Sequence, residues 1–308
     1  MADLPKRTLG RTGVEVTTLG FGAMELRGGP RGPEITDEQA EQVLNAVLDS
    51  GITFIDTSID YGRSEELIGR YISNRRDEYF LASKCGCVPG ADNSRGPAEH
   101  VHTAENIRNG VENSLRLLKT NRLDLVQFHR SLEPKEFSDE GALQELQTLQ
   151  QEGKVRFIGV SGTLPNLRKQ IDMGIFDAFQ IPYSALQREH EDVIAEAAKA
   201  GAGTIIRGGV ARGAPENWEG RTYYMVSPDE LKSRWELAKV DDLLGDMSRM
   251  EFTLRFTLSH PQLSTTIVGT KSVEHLQDNV TAAKKGPLAP EVYAEAKRRL
   301  ADAGSKPE

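Results

Sequence analysis

Gly51-Ile52-Thr53-Phe54-Ile55-Asp56-Thr57-Ser58 follows a helical pattern and opens a new element. The glycine closes the preceding periodic stretch, a short β-branched and aromatic run comes next, and the run stops on a carboxylate. The same arrangement recurs along the chain. Strand-like runs span 16–21, 53–57, 79–83, 123–128, 155–160, 178–181, 203–206 and 265–268. Helical periodicity separates them over 37–50, 64–73, 104–119, 139–152, 164–173 and 188–200. Thr36 or Asp37 caps the first of these helices, and Gly51 follows its end. Strand followed by helix predicts a parallel α/β sheet, and eight such units predict closure into a single (β/α)8 TIM barrel over residues 1–308. Residues 1–16 read as a hairpin that plugs the bottom of the barrel, and 28–33 as a Gly/Pro-rich loop after the first strand.

Composition restricts the remaining classes. The 308 residues are 38% hydrophobic and 27% charged, a length ordinary for one such barrel. No stretch approaches the roughly 18 consecutive apolar residues of a membrane span. The N-terminal Met1-Ala2-Asp3-Leu4-Pro5-Lys6-Arg7 lacks a secretory apolar region, so a cytoplasmic location is expected. Two cysteines make no disulfide framework. A formal charge of −8 repels phosphate backbones and argues against nucleic acid, so a phosphorylated ligand needs a local cationic pocket.

In a barrel of this kind functional groups gather where the strands end, because the following loops converge on one mouth. The polar residues at those ends are Asp56 with Tyr61 close behind, Lys84, His129, Ser161, Gln180, Arg207 and Lys271. Asp56, Tyr61, Lys84 and His129 form a set with a chemical logic. A carbonyl oxygen that gains charge needs a proton donor, and Tyr61 is the candidate acid. A free phenol has a pKa near ~10, so an adjacent ammonium, Lys84, eases proton release. Asp56 keeps a buried Lys84 charged, and His129 polarises or orients the carbonyl.

Gly51 through Ser58, followed by Tyr61-Gly62-Arg63-Ser64-Glu65, resembles the signature of the aldo-keto reductase family. The likeness extends over nearly the whole chain. It takes in Leu9-Gly10-Arg11-Thr12-Gly13, Leu19-Gly20-Phe21-Gly22-Ala23-Met24, the lysine and histidine of strands three and four, Ile158-Gly159-Val160-Ser161, and Val268-Gly269-Thr270-Lys271 with Asp278-Asn279. The resemblance implies reduction of an aldehyde or ketone, with Tyr61 as general acid and NADPH as hydride source, NADH being the weaker expectation. It also implies a cofactor site. Gly22, Ala23, Met24 and Asp56 would stand on its first side, and Ser161, Gly162 and Gln180 at the nicotinamide carboxamide. Ile206, Arg207, Gly208, Gly209, Val210 and Arg212 would approach the pyrophosphate. Gly269, Thr270 and Lys271 would meet the 2′-phosphate, and His275, Asp278 and Asn279 the adenosine.

Physical reasons support parts of this assignment. A helix that opens at Lys271-Ser272 offers amide groups and a positive dipole end to phosphate. Glycines in the segment 207–213 let backbone amides approach a ligand closely. The loop 207–235, which contains Trp218, Tyr223, Tyr224 and Met225, is long enough to cover a bound cofactor. No Gly-x-Gly-x-x-Gly follows the first strand, which disfavours an open-sheet dinucleotide fold.

Two positions depart from the family pattern: Gly162 stands where an asparagine usually follows the serine, and Arg207 where an aromatic often stacks on the nicotinamide. Cys85 and Cys87 read as packing or pocket residues. His100-Val101-His102 reads as a loop pair, with no third ligand nearby in sequence, so no metal site is expected. Arg130 serves an anionic ligand or a rim salt bridge. Expected partners are a small carbonyl substrate alone, without nucleic acid or membrane; the oligomeric state is left open. Two other readings stand beside the reductase: a cofactor-sensing regulatory subunit of the same family, and a lyase or isomerase barrel that uses Asp56 and Lys84 without nucleotide.

Overall fold

Eight parallel strands close on themselves, each hydrogen-bonded to the next along the chain and the last to the first. This is a computed structural model, and it describes residues 3–29, 32–88, 99–213, 215–216 and 226–308. The strands are β3 (Leu19–Gly22), β4 (Phe54–Asp56), β5 (Phe80–Cys85), β6 (Leu123–Phe128), β7 (Val155–Ser161), β8 (Ala178–Pro182), β9 (Gly203–Arg207) and β10 (Thr265–Val268). Before them β1 (Lys6–Thr8) and β2 (Glu15–Thr17) pair as an antiparallel hairpin. The helices are α1 (Asp37–Asp49), α2 (Ser64–Tyr71), α3 (Ala104–Leu118), α4 (Ala142–Gln151), α5 (Asn166–Asp172), α6 (Glu191–Lys199), α7 (Pro228–Leu237), α8 (Arg249–Leu258), α9 (Val273–Lys284) and α10 (Pro290–Asp302). The (β/α)8 TIM barrel with an N-terminal hairpin is therefore the fold.

The two-residue period of a strand sorts the barrel interior into layers. Phe54, Phe80, Ala82, Leu125, Ala178 and Ile205 pack with Leu9 and Val16 of the hairpin in one apolar cluster. Phe54 and Phe80 stack with ring centroids 5.4 Å apart. Leu9 is fully buried there, and Arg11 N donates to Gly201 O at 2.7 Å, so the hairpin closes the end of the barrel where the strands begin. One step of two residues further along each strand the layer turns polar. Phe54 is followed by Asp56, Ala82 by Lys84, Leu125 by Gln127, and Ala178 by Gln180. All four of these polar side chains are buried.

Three expectations about elements need correction. The run 16–21 is two strands, because Thr17 Oγ1 donates to Leu19 O at 2.7 Å and Thr18 N to Pro5 O, which cranks the chain from the hairpin into the barrel. Helix α4 starts at Ala142 rather than 139, after Gly141 in the left-handed region. The loop read as 207–235 ends earlier: α7 begins at Pro228, capped by Ser227, whose side chain accepts from Glu230 N at 3.2 Å. Trp218, Tyr223, Tyr224 and Met225 lie outside the described residues, as do Pro30 and Arg31 of the loop at 28–33. At α1 the cap is Thr36, in a reciprocal capping box with Gln39. Among the described residues no helix is long and apolar enough to cross a membrane.

Candidate active site

Register brings the first part of the site together. Asp56 pairs with Gly22 and Ala82 on its two neighbours, and Lys84 pairs with Gln127. Lys84 Nζ reaches Asp56 Oδ2 at 2.6 Å and donates to Thr57 O at 2.7 Å. The two side chains are 0% and 2% exposed, so the pair is dry. The other carboxylate oxygen, Asp56 Oδ1, accepts from Gln180 Nε2 at 2.8 Å and from Gln127 Nε2 at 3.0 Å. Burial pulls the Lys84 ammonium toward its neutral form. The charges of Asp56 and Tyr61, together with hydrogen bonds to both, outweigh that pull, so its pKa stands above the ordinary lysine value.

Tyr61 sits over this pair, with Lys84 Nζ 4.7 Å from its ring centroid. Its position depends on the turn that follows. Gly62 has φ +46°, and a Cβ there would stand 2.3 Å from Arg27 O, so only glycine lets the chain pass. Ser64 Oγ then donates to Ala23 O and contacts Thr57 Oγ1, each at 2.9 Å, which ties the turn to the barrel. The His129 ring meets Tyr61 edge-on at 5.9 Å. Its Nδ1 lies 3.0 Å from Cys87 Sγ and 3.5 Å from Ser58 Oγ. Burial first, then the nearby Asp60 charge, pushes the Cys87 thiol up to about 12, so it holds its proton. Behind Lys84, Glu65 is fully buried and accepts from Ser83 Oγ at 2.6 Å. Burial raises its carboxyl to about 7 against the opposing pull of Ser83, Ser114 and Lys84.

A cleft of about 550 Å³ runs from Asp56 and Tyr61 to the start of α9. Gly22 and Met24 line one wall; Gln180, Arg207, Gly208 and Val210 line the other. Its far end is made by Gly269, Thr270 and Lys271 after β10 and by His275, Asp278 and Asn279 on α9. Ser272 caps α9 by accepting from His275 N at 3.3 Å, and Lys271 Nζ is anchored on Glu34 O at 2.9 Å. A Cβ at Gly269 would stand 2.6 Å from Gly22 O, so the two loops that line this part of the cleft touch backbone to backbone.

Other expected cofactor residues stand behind this lining. Ala23 and Ile206 are fully buried. Gly209 O accepts from Thr257 Oγ1 at 2.7 Å, and a Cβ at Gly209 would meet Thr266 Oγ1 at 2.4 Å, so this glycine serves packing. Ser161 donates to Gln180 Oε1 at 3.1 Å, and Gly162 N to Gln180 O. Both stand beside Gln180 rather than on the cleft surface. A Cβ at Gly162 would lie 2.8 Å from Gln170 Oε1 and 3.2 Å from Leu167 Cδ1, so the space of the family asparagine is taken by α5. Arg212 falls in the turn Ala211–Gly213, and its side chain lies outside the described part.

The profile of the Aldo/keto reductase family matches residues 18–300. The chain belongs to that family. This aldo-keto reductase is 28% identical over 298 residues to an uncharacterized oxidoreductase of Bacillus subtilis (strain 168), YqkF, covering 93% of each chain. It is 28% identical over 299 residues to an L-galactose dehydrogenase of Arabidopsis thaliana, covering 92% of this chain and 89% of that one. Among solved structures, the holo form of aldo-keto reductase AKR11C1 from Bacillus halodurans superimposes with a TM-score of 0.82 at 28% identity, covering 96% of each chain. The protein is accordingly an oxidoreductase of a family that works with nicotinamide cofactors.

Gln127 and Glu65 stand in the aldo-keto reductase site outside the expected set, and Cys87, expected as a packing or pocket residue, reaches His129. Gln127 and Asp124 are the two polar residues of the otherwise apolar strand Leu123–Phe128, and Gln127, the one nearer its C-terminal end, was the available signal. Glu65, in the middle of an amphipathic helix start, looks solvent-facing in sequence. Cys87 approaches His129 from 42 positions away, and no local pattern marks the contact.

Proposed function

We propose that the chain is an NADPH-dependent carbonyl reductase that converts an aldehyde or ketone to an alcohol, and in reverse oxidises a hydroxyl substrate such as a sugar. The observation that carries this reading is the dry Asp56–Lys84 pair beneath Tyr61, at one end of a cleft whose other end is a helix N-terminus with a lysine. The cleft volume falls in the roughly 300–1,000 Å³ range of cofactor sites. Gly22, Gly208, Gly213 and Gly269 line the cleft, which gives an extended nucleotide backbone to lie against. The likeness to an L-galactose dehydrogenase supports the sugar direction.

Lys271 and the amide groups opening α9 would hold the 2′-phosphate, since amide donors and dipole favour an anion there. Asp278, Asn279 and His275 would flank the adenosine. Gly208 and Val210 would let the pyrophosphate approach backbone. Gln180, fixed by Asp56 and Ser161, would present its remaining surface to the carboxamide. The bound nicotinamide supplies the hydride.

The protein's own part is the proton. The Lys84 ammonium stabilises phenolate at Tyr61, so the phenol gives up its proton to the substrate oxygen more readily than a free tyrosine. Asp56 prevents Lys84 from discharging by losing its own proton. A protonated Cys87 thiol donating to His129 Nδ1 leaves the ring proton on Nε2, the tautomer that donates to a carbonyl oxygen. In Tyr61→Phe, NADPH binding followed by protein fluorescence is expected to persist while aldehyde turnover falls about 10²–10⁴-fold. Turnover like that of the wild type contradicts the assignment of the acid.

A further inference from the structure

The segment after β5 and the end of β6 bring a thiol and two imidazoles to one point. Cys87 and His100 form an isolated antiparallel bridge, which sets their side chains opposite each other. Cys87 Sγ lies 3.7 Å from His100 Nε2 and 3.0 Å from His129 Nδ1. One ligand atom from each of the three lies within 4.8 Å of the others. The His100 and His129 rings meet edge-on, with centroids 5.7 Å apart. Cys87 is buried and forms the floor, while the two half-buried imidazoles form the rim.

Bond lengths decide whether this is a plausible coordination set. Tetrahedral zinc, with Zn–S about 2.3 Å and Zn–N about 2.0 Å, requires sulfur and nitrogen ligands about 3.5 Å apart. The two sulfur–nitrogen separations straddle that value, and the two imidazole nitrogens, within 4.8 Å of each other, must close to about 3.3 Å by turning the rings inward. One thiolate with two imidazoles suits borderline-soft ions of the zinc class and disfavours calcium or magnesium, which take oxygen ligands. Three protein ligands leave a fourth position for water or another small ligand.

We propose that Cys87, His100 and His129 form a site for a zinc-class divalent metal ion, which takes His129 through Nδ1 and, by drawing the ring toward His100, shifts its Nε2–H off the substrate oxygen and inhibits the enzyme reversibly. The sulfur–metal bond forms as the thiol proton leaves to solvent, and no oxidant is involved. Inhibition rests on the carbonyl-reductase reading given above; ion binding does not.

The test uses the full chain, treated with EDTA and desalted, and titrated with Co²⁺ while its absorption is recorded. The expected result is tetrahedral ligand-field absorption with a thiolate-to-cobalt band that saturates at one equivalent and is displaced by Zn²⁺. His100→Ala should weaken binding about tenfold or more, and Cys87→Ser should abolish the thiolate band. If the Cys87 variant does not fold, the His100 variant decides alone. In turnover assays Zn²⁺ should inhibit the wild type, EDTA should restore it, and His100→Ala should need about tenfold more Zn²⁺ for the same loss. Absence of a thiolate band, or equal cobalt affinity in wild type and His100→Ala, overturns the site. A thiolate band together with turnover that Zn²⁺ leaves unchanged overturns the inhibitory role. A thiolate band in a protein that turns over no carbonyl upholds the site and counts against the reductase reading instead.

Discussion

Asp56→Asn tests the buried pair most sharply, because the geometry leaves the new side chain no good orientation. Asp56 accepts from Lys84 on one oxygen and from Gln127 and Gln180 on the other. An asparagine that turns its oxygen to Lys84 presents its NH₂ to two amide donors. Turned the other way, it presents NH₂ to the ammonium. Either orientation sets donor against donor, beside a Lys84 side chain with 0% exposure. Removing one partner of such a pair costs about 3–5 kcal/mol, a large share of the roughly 5–15 kcal/mol that holds a domain folded. Lys84→Met should cost a similar amount, since it leaves the carboxylate with its two amide donors and no counter-charge. The double variant buries no charge, so it should be far more stable than the sum of the singles. Urea unfolding of the four proteins gives the coupling, expected at about 3 kcal/mol. A coupling below about 0.5 kcal/mol, with single-variant losses of about 1 kcal/mol or less, would refute the idea of a dry, mutually dependent pair.

Two further predictions concern the ends of the site. Lys271→Met should weaken NADPH about 10- to 100-fold, the value of one charge-assisted contact, and leave NADH nearly unchanged in a fluorescence titration; equal losses for both contradict the 2′-phosphate role. Glu65→Gln should flatten the pH dependence of stability. A carboxyl raised from 4.5 to about 7 in the fold binds its proton more tightly than the unfolded chain does. Its contribution is therefore full below pH 4.5 and is lost as pH rises to about 7. The variant should gain about 3 kcal/mol on the wild type across that window, and parallel curves in urea unfolding would show that Glu65 ionises normally.

Much of this was legible because a parallel barrel repeats one local rule. Each strand is apolar along its length and polar where it ends, so Asp56, Lys84, Gln180 and Lys271 announce themselves. What failed to show was contact between distant elements. Gly162 looked like a lost asparagine, but Gln170 from α5 occupies the space beside it. Gly209 looked like a phosphate-loop glycine, but the Thr266 hydroxyl requires it. His100-Val101-His102 has no third ligand nearby in sequence, and only the fold brings Cys87 and His129 beside His100. The helix at Pro228 was readable from Ser227-Pro228-Asp229-Glu230, a cap followed by proline and acidic residues.

Transfer of deuterium from NADPH labelled on the nicotinamide C4 is the most direct measure of the central claim. Products from a panel of small aldehydes, ketones and keto-sugars, analysed by mass spectrometry and NMR, should carry the label on the new carbinol carbon. That transfer should fall with turnover in Tyr61→Phe. NADPH binding without label transfer to any carbonyl, or transfer at wild-type rate in Tyr61→Phe, would contradict the account.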